Sequence, residues 1–581
     1  MSQIPRPEHP KPQFMRNEWI NLNGSWTCEL DFGKSGRDRN LWNSTGFDTK
    51  ITVPFCPESE LSGIGHKDFI EMMWYHRAIE IPAEWKEKRV LLHFGAVDFE
   101  CEVFINGKSA GKHWGGTSSF YFDISHGATP GGTDDLVVYV RDDLRSGVQT
   151  GGKQCPDFAS RGCHYTRTTG IWQTVWLEAV DQHGLQDMHI IPDLDSESLV
   201  FIPRYVAVCS ESQLRVTVTD GNREVACHKG PAVDGLPVVV GIPNSVAWEP
   251  GNPHLYDIQI EVLLGDRVVD SVSSYAGLRK VHIEGNKVLL NNQPFYQRLV
   301  LDQGFYPDGI WTAPNDESLR RDIELSIEAG FNGARLHQKV FEERFHYWAD
   351  KLGYITWGES SSWGLDLSTV SAARNFLSEW REIVIRDRNH PSIVAWSPYN
   401  ETRANAGAIQ HSRAHIDAYE LTKALDPTRP VNDASGYVHY CTDLYTVHNY
   451  NQDPKELDRI LAPDPKTGVF RNIPDHDAQY AGQPYIIDEF GGIGWNPAME
   501  LAASGNDRSV SWGYGNAPHS IEEFYQRLEG LVRTVLSMNH ICGFCYTQLT
   551  DVEQEQNGVY FYNRTEKFDM ARIRSIFRLE Q

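Results

Sequence analysis

The chain has little basic charge. Lys and Arg number 54 against 78 Asp and Glu, a formal charge of −24 over 581 residues. Such an excess of acid repels a phosphate backbone or an anionic lipid surface, so nucleic-acid and membrane partners are excluded. Long hydrophobic runs are missing too. The opening "MSQIPRPEHPKPQF" has no apolar core of signal-peptide length, and no later run reaches the roughly 18 apolar residues of a membrane span. A cytoplasmic location is expected.

Cysteine is present but not clustered. Ten thiols are scattered from Cys28 to Cys545 without the dense spacing of a disulfide framework, which suits a reducing compartment. The one C-x-x-C, Cys542 to Cys545, has no second pair or histidine pair nearby to complete a zinc site, and it lies in an apolar run. It reads as core thiols. Neither repeats nor low-complexity tracts occur.

With 40% hydrophobic and 11% aromatic residues, the chain is globular and too long for a single core, so several domains are expected. Residues 1–182 carry short alternating strands with Gly, Pro and Asn-Gly punctuation, such as "RVLLHFGAVDFECEVFING" and "DDLVVYVRD", the pattern of a β-sandwich. Residues 183–281 continue with "SLVFIPRYVAV", "QLRVTVTD" and "LYDIQIEVLL", at the spacing of a small immunoglobulin-like sandwich. From residue 282 to 581 the rhythm becomes strand then helix. Eight apolar runs follow: "FYQRLVLD", "FNGARLHQ", "GYITWGES", "SIVAWSPYNE", "RPVNDAS", "LYTVHNY", "PYIIDEFGG" and "ICGFCYTQLTD". That succession predicts a (β/α)8 TIM barrel.

In such barrels the C-terminal strand ends form the active face. Asp302, Arg335, His337, Glu359, Asn400, Glu401, His448, Tyr450, Glu489 and Asp551 all lie at or just past strand ends. Glu401 and Glu489 each end an otherwise apolar strand, the fourth and the seventh, which face each other across a barrel. A carboxyl pair flanking one bond is what glycosidic hydrolysis needs: one acid to protonate the leaving oxygen, one ionised group to attack the anomeric carbon. Either glutamate alone would read as a helix cap. Trp363 and Trp495 follow the third and seventh strands, where aromatics stack on sugars or pack loops. His390, before the fourth strand, belongs to the structural end. Glu359 reads as a polar site residue rather than a metal ligand, and no metal or cofactor is expected.

At these residues the sequence resembles glycoside hydrolase family 2, which includes β-galactosidases, β-glucuronidases and β-mannosidases. The resemblance runs along nearly the whole chain: "NEWINLNGSW", "YTRTTGIWQTVWLE", "YAGLRKV", "GFNGARLHQ", "WSPYNE" and "IIDEFGG". It implies a jelly-roll-like sugar-binding sandwich, an immunoglobulin-like sandwich and a catalytic barrel. It implies retention of configuration, Glu401 as acid/base and Glu489 as nucleophile. Asn400 then matches the residue that binds the sugar 2-hydroxyl, and Arg335 and Tyr450 those that hold the nucleophile ionised. Asp302 and His337 match hydroxyl ligands of the glycone, with His448, Asp551 and Trp495 as further substrate contacts. The family's glucuronidases carry an Asn-x-Lys motif in the barrel. The single Asn-x-Lys here, Asn106 to Lys108, lies in the first sandwich. A neutral glycone is therefore expected: β-galactoside first, then α-L-arabinofuranoside or β-galactofuranoside, then β-mannoside or β-glucuronide. A non-catalytic carbohydrate-binding protein is the rival of another class, a transglycosylase the rival within this one. The sequence admits a homo-oligomer.

Overall fold

The computed structural model describes residues 4–502 and 510–580. Its first unit is two antiparallel sheets. One has the order Trp19–Asn21, Val175–Val180, Arg89–Phe94, Phe120–Asp123; the other has six strands, with Met72–Glu80 and Thr133–Arg141 at its centre. Trp26, Tyr75, Val103 and Val138 of the larger sheet meet Leu92, Phe94 and Leu177 of the smaller in one core. Asn106-Gly107 makes the turn between Glu100–Ile105 and Lys108–Trp114, both residues at positive φ, so Lys108 is an exposed hairpin lysine. A second pair of sheets follows. Leu185–Asp193, Ser198–Tyr205 and Val238–Gly241 pack on a four-stranded sheet that includes Ser212–Asp220 and Tyr256–Leu264.

The barrel strands are β1 (Gln297–Asp302), β2 (Gly333–Leu336), β3 (Ile355–Glu359), β4 (Ile393–Ser397), β5 (Ala434–Ser435), β6 (Tyr445–Asn449), β7 (Tyr485–Gly491) and β8 (Ile541–Thr547). Seven form one parallel sheet in the order β4-β3-β2-β1-β8-β7-β6. β5 pairs with Tyr399–Asn400, the continuation of β4. Among the described residues the β5–β6 seam has no strand ladder; Gly436 N–H donates to Thr446 Oγ1 at 2.9 Å there. Between the strands lie α1 (Asp316–Ala329), α2 (Glu343–Leu352), α3 (Val370–Asp387), α4 (Ile409–Leu425), α5 (Pro454–Leu461) and α6 (Ile521–Leu536), with α7 (Met570–Phe577) after β8. α1 starts where Asn315 Oδ1 accepts from Ser318 N–H at 2.9 Å and ends on Gly330 at φ 107°, a left-handed closure that glycine adopts without strain.

Alternation along the strands divides the barrel into two cores. Leu299, Leu301, Trp357, Ala395, Ile486 and Cys545 fill the interior, plugged at the N-terminal end by Trp248 and by Val288 and Leu290 of a hairpin. Val300, Leu336 and Ile487 point outward against Ile323, Leu528 and Val532 of the helices. Fully burying one such side chain is worth about 1.5–3 kcal/mol. All ten cysteines are free, with Cys545 inside the barrel. His390 is fully buried at the closed end, its Nδ1 2.6 Å from Asp350. No helix of the described residues is long and apolar enough to cross a membrane.

Candidate active site

The open end of the barrel gathers six of the expected residues around two carboxylates. Arg335 aligns with inward-facing Leu301 on β1, so its guanidinium points into the barrel. It donates Nη1 to Glu359 Oε2 at 2.6 Å and Nη2 to Glu489 Oε1, with no exposed surface. An arginine held by two buried acids is fixed in place; removing it would leave charges unpaired at a cost of about 3–5 kcal/mol. Tyr450 Oη donates to the other oxygen of Glu489 at 2.5 Å, while its ring stacks on Tyr514 at 3.5 Å. β7 carries irregularities in its register with both neighbours beyond Ile487. Asp488 and Glu489 consequently both face His448, their oxygens 3.3 Å from its ring nitrogens.

Glu401 follows Asn400 at φ 49°, a left-handed backbone uncommon for a residue with a side chain. Its N–H donates to Ser435 O at 2.9 Å, which ties it to the end of β5. Its Oε1 lies 2.8 Å from His448 Nδ1. One oxygen each of Glu401 and Glu489 and a nitrogen of His448 all fall within 4.8 Å of one another. Burial lowers the affinity of His448 for its proton, but Glu489, Asp488 and Glu401 outweigh it and push the imidazole up to about 10. Burial raises Glu401, yet the hydrogen bond and charge of His448 bring it below the usual carboxylate range. At neutral pH an imidazolium therefore bridges the two acids. These three side chains also have the spacing of a cation site, and the same ring places Nδ1 against Glu401 and Nε2 against Asp488 and Ser435 (3.0 Å).

Glu359 accepts from Gln338 N–H at 3.0 Å and stands 3.1 Å from His337 Nδ1. Burial pushes it up to about 7 against the pull of Arg335. Asn400 Oδ1 faces Arg335 at 3.4 Å, and its buried Nδ2 has no partner among the described residues.

Three expected site residues lie elsewhere. Asp302 aligns with Leu336, so alternation turns it outward. It accepts from Gly304 N–H at 2.9 Å and is pushed up to about 7 by burial and by Asp322 of α1. Asp551 is buried in an ion pair with Lys567 at 2.6 Å. Trp495 packs on Phe524 of α6. In their place come Trp363, which its position after the third strand had indicated, and two residues of the first sandwich that strand tips did not. Trp363 Nε1 donates to Asn400 O at 3.2 Å. Lys153, on a loop of the first sandwich, lies over the Trp363 ring at 4.5 Å. Tyr165, also from that sandwich, donates to Glu555 Oε2 at 2.5 Å and accepts from Gln303 at 2.8 Å. The glycines of "TGGKQ" were the available signal: a tight loop that a hairpin reading does not require.

A barrel behind two sandwiches, with buried carboxylates gathered at its open end, defines the glycoside hydrolase barrels as a class. Residues 281–498 match "Glycosyl hydrolases family 2, TIM barrel domain", and residues 185–279 match "Glycosyl hydrolases family 2". The chain belongs to glycoside hydrolase family 2. It is 25% identical to a β-glucuronidase of Paenibacillus borealis over 83% of this chain and 84% of that one. It is also 25% identical to a β-galactosidase of Thermoanaerobacter pseudethanolicus, over 66% of this chain, and there it spans about half (51%) of the relative's length. The β-glucuronidase from Ruminococcus gnavus in complex with D-glucuronic acid shares the fold, with a TM-score of 0.80 at 20% identity over 97% of this chain and 99% of that one.

Proposed function

We propose that the protein is a retaining exo-glycoside hydrolase in which Glu489 is the nucleophile and Glu401 the acid/base. The observation that carries this is the approach of the two carboxylates within 4.8 Å. Retaining pairs stand about 5–5.5 Å apart, whereas inverting pairs need about 6.5–9.5 Å for a water. Arg335 and Tyr450 give Glu489 two donors that fix its carboxylate in place for attack on the anomeric carbon. As that bond forms, the bond to the leaving oxygen breaks, and the oxygen takes a proton from the Glu401–His448 pair. In the second step Glu401 takes a proton from water, the hydroxide oxygen bonds to the anomeric carbon, and Glu489 is released. Asn400 Nδ2 is free to donate to the sugar 2-hydroxyl, a contact that strengthens in the transition state.

In this reading residues 1–182 form a jelly-roll-like domain whose loop walls the pocket and favours a terminal sugar. Residues 183–281 form an immunoglobulin-like spacer and 282–581 the catalytic barrel. The glycone is a β-pyranoside of the galactoside or glucuronide kind, the two named among the relatives. The expectation of a neutral sugar rested on the missing Asn-x-Lys of the barrel. Lys153 reaches the pocket by another route, so that absence does not decide the sugar.

Proton NMR of a nitrophenyl β-glycoside during turnover tests the reading. The first sugar to appear is the β-anomer, with the α-anomer growing in only by mutarotation. An α-anomer at the outset would show inversion and remove Glu489 from the nucleophile's role.

A further inference from the structure

The left-handed backbone of Glu401 is clamped from both sides. On one side its N–H donates to Ser435 O at 2.9 Å, beside the pairing of Asn400 with Ser435. On the other, Thr402 Oγ1 lies 2.8 Å from Nε2 of His415 on α4. His415 has no exposed surface. Its Nδ1 donates to Asp433 Oδ2 at 3.1 Å, which leaves Nε2 turned to the threonine. Asp433, equally buried, immediately precedes β5 and accepts from His439 Nδ1 at 2.7 Å; Nε2 of His439 stands 2.9 Å from Thr446 O on β6. Burial lowers His439, but Asp433 outweighs it and raises the imidazole to about 9, so the aspartate has a cation beside it. The N–H groups of Ala434 (3.0 Å), Tyr440 (2.7 Å) and Cys441 (3.3 Å) also donate to this carboxylate. Asp433 thereby ties α4, β5 and β6 together across the seam that has no strand ladder. A left-handed residue with a side chain costs about 1–3 kcal/mol and persists where its surroundings over-determine it, and a satisfied buried network supplies that rigidity. The chain beyond Thr402 does not, since Arg403, Ala404 and Asn405 are exposed.

We propose that Thr402 and His415 are positioning residues for the first chemical step: the His415–Asp433 pair fixes Thr402 Oγ1, and Thr402 fixes the backbone that aims Glu401 at the leaving oxygen. Both act through Glu401 and not on the substrate, and the inference rests on the reading of Glu401 as the acid/base. A displaced acid delivers its proton poorly, and the loss is greatest where the leaving group is most basic. A network that only held the fold together would slow every substrate alike.

The test is kcat/KM, which reports the first step, of the full chain on phenyl and dinitrophenyl β-D-galactopyranoside and β-D-glucuronide. The variants are Thr402→Val, Thr402→Ser, His415→Leu and, as the reference, Glu401→Gln. General acid catalysis is worth about 10²–10⁴-fold, so Glu401→Gln should lower the phenyl-to-dinitrophenyl ratio about 100-fold or more. Thr402→Val and His415→Leu should lower it about 10-fold, a partial loss of the same contribution, and Thr402→Ser, which keeps the hydroxyl, should retain most of the wild-type ratio. A ratio unchanged in Thr402→Val, or an equal loss on both leaving groups, would overturn the proposal. Valine keeps the shape of the threonine at a half-buried position and isolates the hydrogen bond; should His415→Leu fail to fold, Thr402→Val decides alone. A ratio unchanged in Glu401→Gln, or a wild type that turns over none of the four glycosides, would instead show that the acid reading of Glu401 has failed, and the proposal would fall with it.

Discussion

At the scale of single residues the site is an arrangement of shared protons and paired charges, with His448 at its centre. Its folded value of about 10 stands above the ordinary 6.5. The stability that it contributes is therefore present in full below about 6.5 and is lost as the pH rises through about 10. The Tm of the wild type should exceed that of His448→Gln by an amount that shrinks across this window; a gap that stays constant would mean that His448 is neutral in the folded protein. The same imidazolium holds Glu401 ionised in the empty site, so the alkaline limb of activity belongs to the pair and not to the glutamate alone. Glu401 and Glu489 were legible in the sequence because an acid ending an apolar strand contradicts the burial of that strand. Asp302 was not, since whether a strand-end side chain faces inward depends on register with the next strand. Asp551 was misplaced for a different reason: its partner Lys567 lies beyond the strand tip and claims the carboxylate.

Elements deliver these residues, and two of them depend on small departures from regularity. The irregular register of β7 beyond Ile487 brings Asp488 and Glu489 to the same imidazole, which strict alternation would forbid. In the first sandwich, Gly152 sits at φ 56°, and a Cβ there would stand 2.2 Å from Gln338 O. Only glycine permits that approach. Gly152→Ala should push the Lys153 loop off the barrel rim, costing about 1–3 kcal/mol in a urea titration and lowering kcat/KM with it. Unchanged kinetics would separate this loop from the pocket. The barrel strands followed from the succession of apolar runs; α1 shows the local chemistry that bounds a helix, with Asn315 as its cap and Gly330 as its close. β5 was the faintest strand: "RPVNDAS" places Asn432 and Asp433 between Val431 and Ala434, and the ladder shrinks to two residues.

For the whole molecule, the candidate pocket is a product of two units that fold around separate cores. The seam between them joins a buried apolar cluster, Ala96, Tyr165 and Trp172 of the first unit against Phe305, Ile310 and Trp311 of the barrel, to specific polar contacts. Glu379 of α3 accepts from Thr117 N–H at 2.9 Å, Thr117 Oγ1 at 2.7 Å and Thr150 Oγ1 at 2.8 Å. Thr150 begins the loop that delivers Lys153, so the first sandwich is locked to the barrel beside the site that it helps to build. The change of strand rhythm along the chain predicts three units in sequence, and the strands pair as two sets of antiparallel sheets followed by the parallel barrel sheet. The contribution of the first sandwich to the pocket is not legible there, because nothing in a local pattern records which distant rim a loop will meet. The central claim remains the division of labour between Glu401 and Glu489. It is tested most directly by mass spectrometry of Glu401→Gln after reaction with a dinitrophenyl β-glycoside, whose leaving group needs little protonation while the second step lacks its base. The account predicts a glycosyl adduct on the peptide that contains Glu489; an adduct on any other residue would contradict it.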